Sequence, residues 1–169
     1  MLLLFPLFVL ALLLVDVQKS FAADYTAIEG DWALQGLPPT IKLGDSVTIP
    51  TGIAVTISKS TNINNSGGII TNNSTITNYG AIANSGTINN LASAAIKNFG
   101  GTITNSDTVT NYGAIRNELG SLITNVGTIN SPGTIANSPG ATITNSGTVN
   151  VRGFVINAGI INKIGRAHV

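Results

Sequence analysis

The chain contains no cysteine, a single histidine and very little charge. Its 169 residues carry 8 Lys and Arg against 7 Asp and Glu, so charged residues are 9% of the total and the formal net charge is +1. A nearly neutral chain has no electrostatic field that would attract nucleic acid or an acidic lipid surface. We therefore expect no nucleic-acid partner. Without cysteine, a folded form must also be stabilised by something other than disulfides.

Aromatic residues are equally scarce, at 5%, but the chain is not poor in apolar residues. Hydrophobic residues make up 43% of it. Disordered segments combine low hydrophobicity with high net charge, and this chain has neither property. The composition therefore indicates a folded protein.

The first residues have the pattern of a signal peptide. Leu2–Val15 is an unbroken apolar run, too short to span a membrane comfortably. The following segment, Ser20–Ala23, has small residues at a spacing suited to signal peptidase. We predict a signal peptide at residues 1–22 and a secreted or cell-surface protein, which meets the membrane only through this peptide or an anchor outside the sequence. A buried or membrane-anchoring helix is the alternative.

Residues 23–56 are interpreted as a lead-in and an N-terminal cap. Asp24–Pro39 holds the only Trp and does not resemble the repeats that follow. Between Ile41 and Ser58, apolar and polar residues alternate with a period of two, which predicts one or two strands. A stack of coils needs such a cap, because its open end presents unpaired backbone groups.

Residues 57–163 are repetitive. Gly101–Ile160 divides into three blocks of twenty residues, and each block contains three phrases of the form aliphatic-x-Asn or a close variant. The aliphatic positions recur in steps of six, six and eight residues, and this ladder extends upstream to Ile57. In the three blocks these positions are Ile103, Val109, Ile115, Ile123, Ile129, Ile135, Ile143, Val149 and Val155. A fixed period of this size is typical of a solenoid.

Each phrase predicts one short strand and one corner. Alternation turns the aliphatic residue and the Asn inward, and the Gly that follows suits a tight corner. We therefore predict an all-β solenoid (β-helix) with about three short strands in each coil of about 20 residues; the sequence does not decide its handedness. Stacking would align the Asn residues in unbroken columns on two of the three faces, whereas the Asn column on the remaining face ends after Asn111. An amyloid-like low-complexity chain is the alternative.

Phrases such as Ile103-Thr104-Asn105 and Gly113–Asn117 resemble those of secreted β-solenoid proteins. The resemblance covers about Thr61 to Lys163, and it is to autotransporter and haemagglutinin-like adhesin passengers and to uncharacterised microbial surface proteins. It implies a secreted structural or adhesive module at the cell surface. Partners would then be a cell-surface glycan, another surface protein or a second copy of the chain. The six-residue step is also similar to hexapeptide acyltransferases, but the catalytic histidine of that family has no credible counterpart.

Residues suited to catalysis are sparse. The repeats contain two carboxylates, Asp107 and Glu118, which fall on different faces. Hydrolysis would need paired acids, and a calcium-binding solenoid would need Asp in every turn. We predict a protein that is not an enzyme, with no cofactor and no metal site.

The outward positions of one face form the candidate binding site. They repeat Thr and Asn in every coil: Thr87, Asn89, Thr108, Thr110, Thr128, Asn130, Thr148 and Asn150. Three interpretations stay open. In the first, Thr occurs here only because it is a good strand residue. In the second, the flat polar face contacts a glycan or a surface, and in the third it binds ice. Ice binding is the alternative function.

Residues 164–169 break the repeat abruptly. Their sequence, IGRAHV, is what a common sequencing-library adapter would encode in this reading frame. We expect this segment, including His168, to be an artefact.

Overall fold

Short parallel strands are the main elements of the described chain, which is residues 22–163 of a computed structural model. The predicted signal peptide, apart from Ala22, and the suspected artefact at 164–169 lie outside the described residues. One short 3-10 helix, Ala33–Gln35, follows the second strand.

The strands follow one another in chain order with corners of a few residues between them. They are β1 Asp24–Thr26, β2 Gly30–Asp31, β3 Thr40–Lys42, β4 Ser46–Ile49, β5 Ala54–Ile57, β6 Asn62–Ser66, β7 Ile69–Asn72, β8 Thr75–Asn78, β9 Ala81–Asn84, β10 Thr87–Asn90, β11 Ala95–Asn98, β12 Thr102–Asn105, β13 Thr108–Asn111, β14 Ala114–Asn117, β15 Leu122–Asn125, β16 Thr128–Ser131, β17 Thr134–Asn137, β18 Thr142–Asn145, β19 Thr148–Val151, β20 Phe154–Asn157 and β21 Ile160–Lys163.

Every third strand joins the same sheet, so three consecutive strands make one coil. The first sheet runs β1-β4-β7-β10-β13-β16-β19, the second β2-β5-β8-β11-β14-β17-β20 and the third β3-β6-β9-β12-β15-β18-β21. Each sheet has seven strands, which gives about seven coils. The predicted all-β solenoid with three strands per coil of about 20 residues is confirmed.

The same sheets include the segment that the sequence assigned to the lead-in and cap. Residues between Ile41 and Ser58 belong to three strands, β3 to β5, and not to one or two as predicted. The prediction that Ile57 belongs to the aliphatic column was also wrong. Ile57 pairs with Asn78, whereas Val55 pairs with Ile76 of the aliphatic column. Both β5 residues point inward, so alternation alone does not tell which of them continues the ladder.

From β6 to β18, one buried aliphatic side chain of each strand forms the core. Ile103, Val109 and Ile115 in one coil are 7%, 4% and 5% exposed. Each stacks on its equivalent in the next coil, as in the pairs Ile103–Ile123, Val109–Ile129 and Ile115–Ile135. Full burial of such a side chain stabilises the fold by about 1.5–3 kcal/mol. These columns, repeated over many coils, supply stability that disulfides do not.

Candidate binding face and the interior that supports it

The asparagines at the ends of the strands form hydrogen-bonded ladders inside the solenoid. In the third sheet the Nδ2 of each Asn donates to the Oδ1 of the Asn one coil further on, at 2.7 or 2.8 Å. This column contains Asn65, Asn84, Asn105, Asn125 and Asn145. The predicted column is confirmed.

A second ladder lies in the second sheet, with donor–acceptor distances of 2.8 or 2.9 Å. Its members are Asn78, Asn98, Asn117, Asn137 and Asn157. In the first sheet the ladder of Asn72, Asn90 and Asn111 ends at Ser131, whose Oγ accepts from Asn111 at 2.9 Å. Val151 takes the next position in the column, as the sequence predicted.

Each ladder amide also binds the backbone of the corner beside it. Asn105 Nδ2 lies 3.0 Å from the carbonyl oxygen of Asp107 and 3.1 Å from that of Thr128 in the next coil. These carbonyls would otherwise be short of partners at a corner, where the strand ladder is interrupted. All amides donate in the same direction along the axis, so their dipoles align and strengthen one another. The ladders therefore hold the corners at the spacing of the coils.

Glycines at the corners serve two different purposes. Gly100, Gly120 and Gly140 have φ of 72°, 75° and 73°, the left-handed conformation that favours glycine. Gly127 and Gly133 lack this conformation but lie against the coil below. A Cβ on either would come within 2.2 Å of a backbone carbonyl oxygen. Close stacking, and not only backbone conformation, therefore requires glycine in the repeat.

Aspartates fasten the first coil to the second. The backbone N–H groups of Ala23 and Lys42 donate to the buried Asp45 carboxylate at 3.0 and 3.1 Å, and they lower its pKa. Asp31 accepts from the Ser58 hydroxyl and from a backbone N–H, and the hydroxyl is the main cause of its lowered pKa. Both carboxylates are therefore held in the charged form.

The candidate binding face is the outer surface of the first sheet, from β10 to β19. The register places its eight predicted residues in two columns, Thr87–Thr108–Thr128–Thr148 and Asn89–Thr110–Asn130–Asn150. Successive residues of a column are about 4.8 Å apart, and the two columns are about 7 Å apart. The structure thus brings all eight residues together as an uncharged grid on one sheet surface, which we call the Thr/Asn face.

Two features bound this grid. In the column of Thr87, the residue one coil earlier is Ile69, which is 44% exposed. At the other end Asn150 Nδ2 donates to Asn130 Oδ1 at 2.9 Å, which orders the last two amides. The outer surface of the third sheet has no comparable grid, because Leu122 lies between Thr102 and Thr142.

A groove that was not predicted from the sequence runs along one edge of the Thr/Asn face. Tyr112, Pro132 and Arg152 line it beside Asn130 and Asn150. The Tyr112 side chain is 53% exposed. The three residues follow Asn111, Ser131 and Val151, so the position after each inward column residue is the signal that could have found them. An aromatic ring, a guanidinium group and amides along one groove can bind a polar ligand with some apolar surface.

Residues 22–163 contain neither a metal-binding cluster nor a membrane-spanning helix. That range holds no group of three or more His, Cys, Asp or Glu side chains placed to bind a metal. It likewise includes no helix with the length and apolar character needed to cross a membrane. The two carboxylates of the repeats bind neighbouring hydroxyls: Asp107 accepts from Thr108 at 3.1 Å, and Glu118 from Ser138 at 2.7 Å.

The fold and its ladders define the chain as a β-solenoid repeat protein. No protein-family model matches it, and neither a curated protein nor a solved structure matches it at a significant level.

Proposed function

We propose that this chain is a secreted, non-catalytic module with a structural or adhesive role at the cell surface. The observation that carries the proposal is the Thr/Asn face, an uncharged grid repeated over four coils on a rigid stack. Repeated identical positions suit a repetitive partner, because each coil can contribute a similar weak contact and the contacts add. The resemblance of the repeats to autotransporter and haemagglutinin-like adhesin passengers supports the same function.

A cell-surface glycan is the partner that fits the face and its groove best. Hydroxyls and amides of the Thr/Asn face can exchange hydrogen bonds with sugar hydroxyls, and Tyr112 offers an exposed ring against which a sugar can pack. Arg152 adds one positive charge at the same edge. Other surface proteins, or a second copy of the chain, are the further partners to test.

The non-catalytic role rests on how the repeats use their carboxylates. Asp107 and Glu118 lie at different corners and each accepts a hydrogen bond from a neighbouring hydroxyl. A pair of acids would have to flank the same bond to hydrolyse a glycan. The proposal includes no cofactor.

A glycan array probed with the purified chain tests the proposal. Thr110→Lys places a long charged side chain in the middle of the face and should abolish glycan binding. Thr124→Lys is the matched control, because Thr124 is the equivalent outward residue of the third sheet in the same coil. Equal binding by both variants, or no binding by the unsubstituted chain, would count against the glycan as partner.

Secretion is tested separately. Expression with residues 1–22 attached should place the chain outside the cell with a new N-terminus after Ala22 or Ala23. A chain that stays in the cytoplasm with Met1 intact would contradict the surface location.

Ice binding is the second candidate, and the two Thr-containing columns favour it. The Thr87–Thr108–Thr128–Thr148 column presents a hydroxyl and a methyl group about every 4.8 Å, and the column about 7 Å away adds three Asn amides and one further Thr. The same pair of variants decides between the two functions. If the unsubstituted chain and Thr124→Lys inhibit ice growth and Thr110→Lys does not, the face binds ice; inhibition by none of the three removes this candidate.

A further inference from the structure

The buried carboxylate of Asp45 holds the residue before β1 against the turn that precedes β4. Asp45 is 7% exposed, and each of its oxygens accepts one backbone N–H. Ala23 donates to Oδ1 at 3.0 Å, and Lys42 donates to Oδ2 at 3.1 Å. The N–H of Ala23 is the largest cause of the lowered pKa of Asp45, ahead of the N–H of Lys42 and the Lys42 charge. Two neutral donors thus hold a carboxylate that water hardly reaches.

The backbone fixes Ala23 through its carbonyl group as well as its nitrogen. The Ala23 carbonyl oxygen accepts from the N–H of Ser46 at 2.8 Å, and the next residue, Asp24, pairs with Ser46 in the first sheet. The Ser46 hydroxyl also donates to Asp24 Oδ1 at 2.6 Å. The sheet therefore keeps the nitrogen of Ala23 beside Asp45.

The peptide bond before Ala23 is the one that best fits a signal-peptidase site. Cleavage there leaves Ser20 and Ala22 at the third and first positions before the cut, where small residues are needed. Cleavage one residue later would place Phe21 at the third position and would remove Ala23. Asp45 would then lose one of its two N–H donors, and β4 would lose a carbonyl acceptor. The sequence and the contacts therefore favour the same bond.

We propose that the signal peptide is cut between Ala22 and Ala23 and that the new α-ammonium group of Ala23 forms an ion pair with Asp45. Such a cut requires the proposed secretion of the chain. Hydrolysis adds one water molecule across the bond, so that Ala22 leaves as a carboxylate and Ala23 gains an amino group. An α-amino group is largely protonated near neutral pH. Its nitrogen already lies 3.0 Å from Asp45 Oδ1, so the pair forms without a change of fold.

Processing strengthens the contact that it exposes. A hydrogen bond between two charged groups is stronger than one from a neutral amide. Burial of an ion pair usually has a large desolvation cost, but here the carboxylate is already buried and the half-buried Ala23 leaves its amine partly in water. Removal of the signal peptide therefore stabilises the attachment of the first coil to the turn between β3 and β4.

Two mature chains that differ by one residue test the ion pair. One starts at Ala23 and the other at Ala22, and both are released from an N-terminal fusion, so neither depends on secretion. The longer chain keeps a neutral N–H at Ala23 and moves the charge one residue away. Hydrogen exchange of the Ser46 N–H, which donates to Ala23, should be about tenfold slower in the chain that starts at Ala23. Asp45→Asn should abolish this difference; equal exchange in the two chains, or the same ratio in the variant, would overturn the ion pair.

An NMR titration of the α-amino group gives a second measurement if Asp45→Asn does not fold. The pKa of the amine should be higher in the chain that starts at Ala23 than in the chain that starts at Ala22, because the ion pair favours the protonated form. Asp24 and Lys42 carry the other charges close to this nitrogen. Asp24→Asn should therefore keep most of the difference, and equal pKa values in the two unsubstituted chains would contradict the pairing.

The cleavage site has its own test in the secreted protein. Expression with residues 1–22 attached, followed by N-terminal sequencing and intact mass, should give Ala23 as the first residue. Asp24 as the first residue would overturn the proposed site and leave secretion intact. A chain retained in the cell with Met1 would overturn both the site and the surface location.

Discussion

Replacement of Asn105 by alanine should destabilise the solenoid far more than any change at its surface. Asn105 is 0% exposed and belongs to the ladder of the third sheet, in the fourth of about seven coils. Its amide donates to Asn125 at 2.7 Å, and it accepts from Asn84 at 2.8 Å. It also donates to two corner carbonyls, of Asp107 at 3.0 Å and of Thr128 at 3.1 Å.

The expected cost follows from these contacts. One amide has two N–H hydrogens, so its three donor contacts amount to about two full hydrogen bonds, and the accepted bond makes about three. At about 1 kcal/mol net for each bond, the direct loss is about 3 kcal/mol. Asn84 Nδ2 keeps the carbonyl oxygens of Gly86 and Thr108, but Asn125 Oδ1 loses the donor shown for it and is left buried, which adds about 1–3 kcal/mol. We therefore expect Asn105→Ala to lower the free energy of unfolding by about 4–6 kcal/mol.

Urea denaturation followed by far-UV circular dichroism measures this cost, and hydrogen exchange resolves it by coil. The second readout is needed because coils that contact only their neighbours can unfold separately. Thr104→Ala, on the outer side of the same strand, is the control and should cost no more than about 1 kcal/mol.

A leucine variant separates hydrogen bonding from packing. Asn105→Leu restores volume without polar groups, so it should remain nearly as unstable as Asn105→Ala. If Asn105→Ala costs no more than Thr104→Ala, or if leucine restores stability, the ladder is not what stabilises the coils.

Three further changes test other parts of the stack. Gly133→Ala should lower the melting temperature more than Gly120→Ala does. A Cβ at position 133 would lie 2.1 Å from the Gly113 carbonyl oxygen, whereas a Cβ at position 120 would meet open space and only the positive φ would cause strain. The reverse order of melting temperatures would contradict the conclusion that close stacking requires glycine at position 133. The pKa of Asp45 is lower in the folded chain than its ordinary value of 3.8, so its contribution is present above that value and is lost as the pH falls through the folded pKa. Melting temperatures between pH 7 and pH 2 should therefore fall more steeply for the unsubstituted chain than for Asp45→Asn, and parallel curves would remove Asp45 as a cause. Ser131→Asn should extend the ladder of the first sheet by one amide and raise the melting temperature slightly; a fall would show that the added amide lacks a partner, since Val151 is next in the column.

The architecture was readable from the sequence because it repeats. One inward aliphatic and one inward Asn in every phrase predicted both the strands and the columns, and the register confirmed the pairs Ile103–Ile123 and Asn105–Asn125. The N-terminal strands were harder to predict. Both inward residues of β5 are aliphatic, so Val55 and Ile57 could not be told apart until strand pairing placed each in its column.

The alternation of inward and outward residues likewise predicted the residues of the Thr/Asn face, and the structure places all eight on one sheet surface. The groove beside them was not predicted, because Tyr112 and Arg152 lie at corners, beyond the strand ends at which the alternation of inward and outward residues stops.

In the repeats, local pattern alone therefore determined which residues form strands, which of them point inward and which share a face. Each of these properties depends on residues two positions away or one coil away. Only the tertiary structure decided what depends on the distance across the solenoid. The three isoleucine columns leave an open axis between them, and Ile41, Ile49 and Ile57 close it at one end. The width of that axis is set by how three sheets meet at their corners, which no single strand encodes.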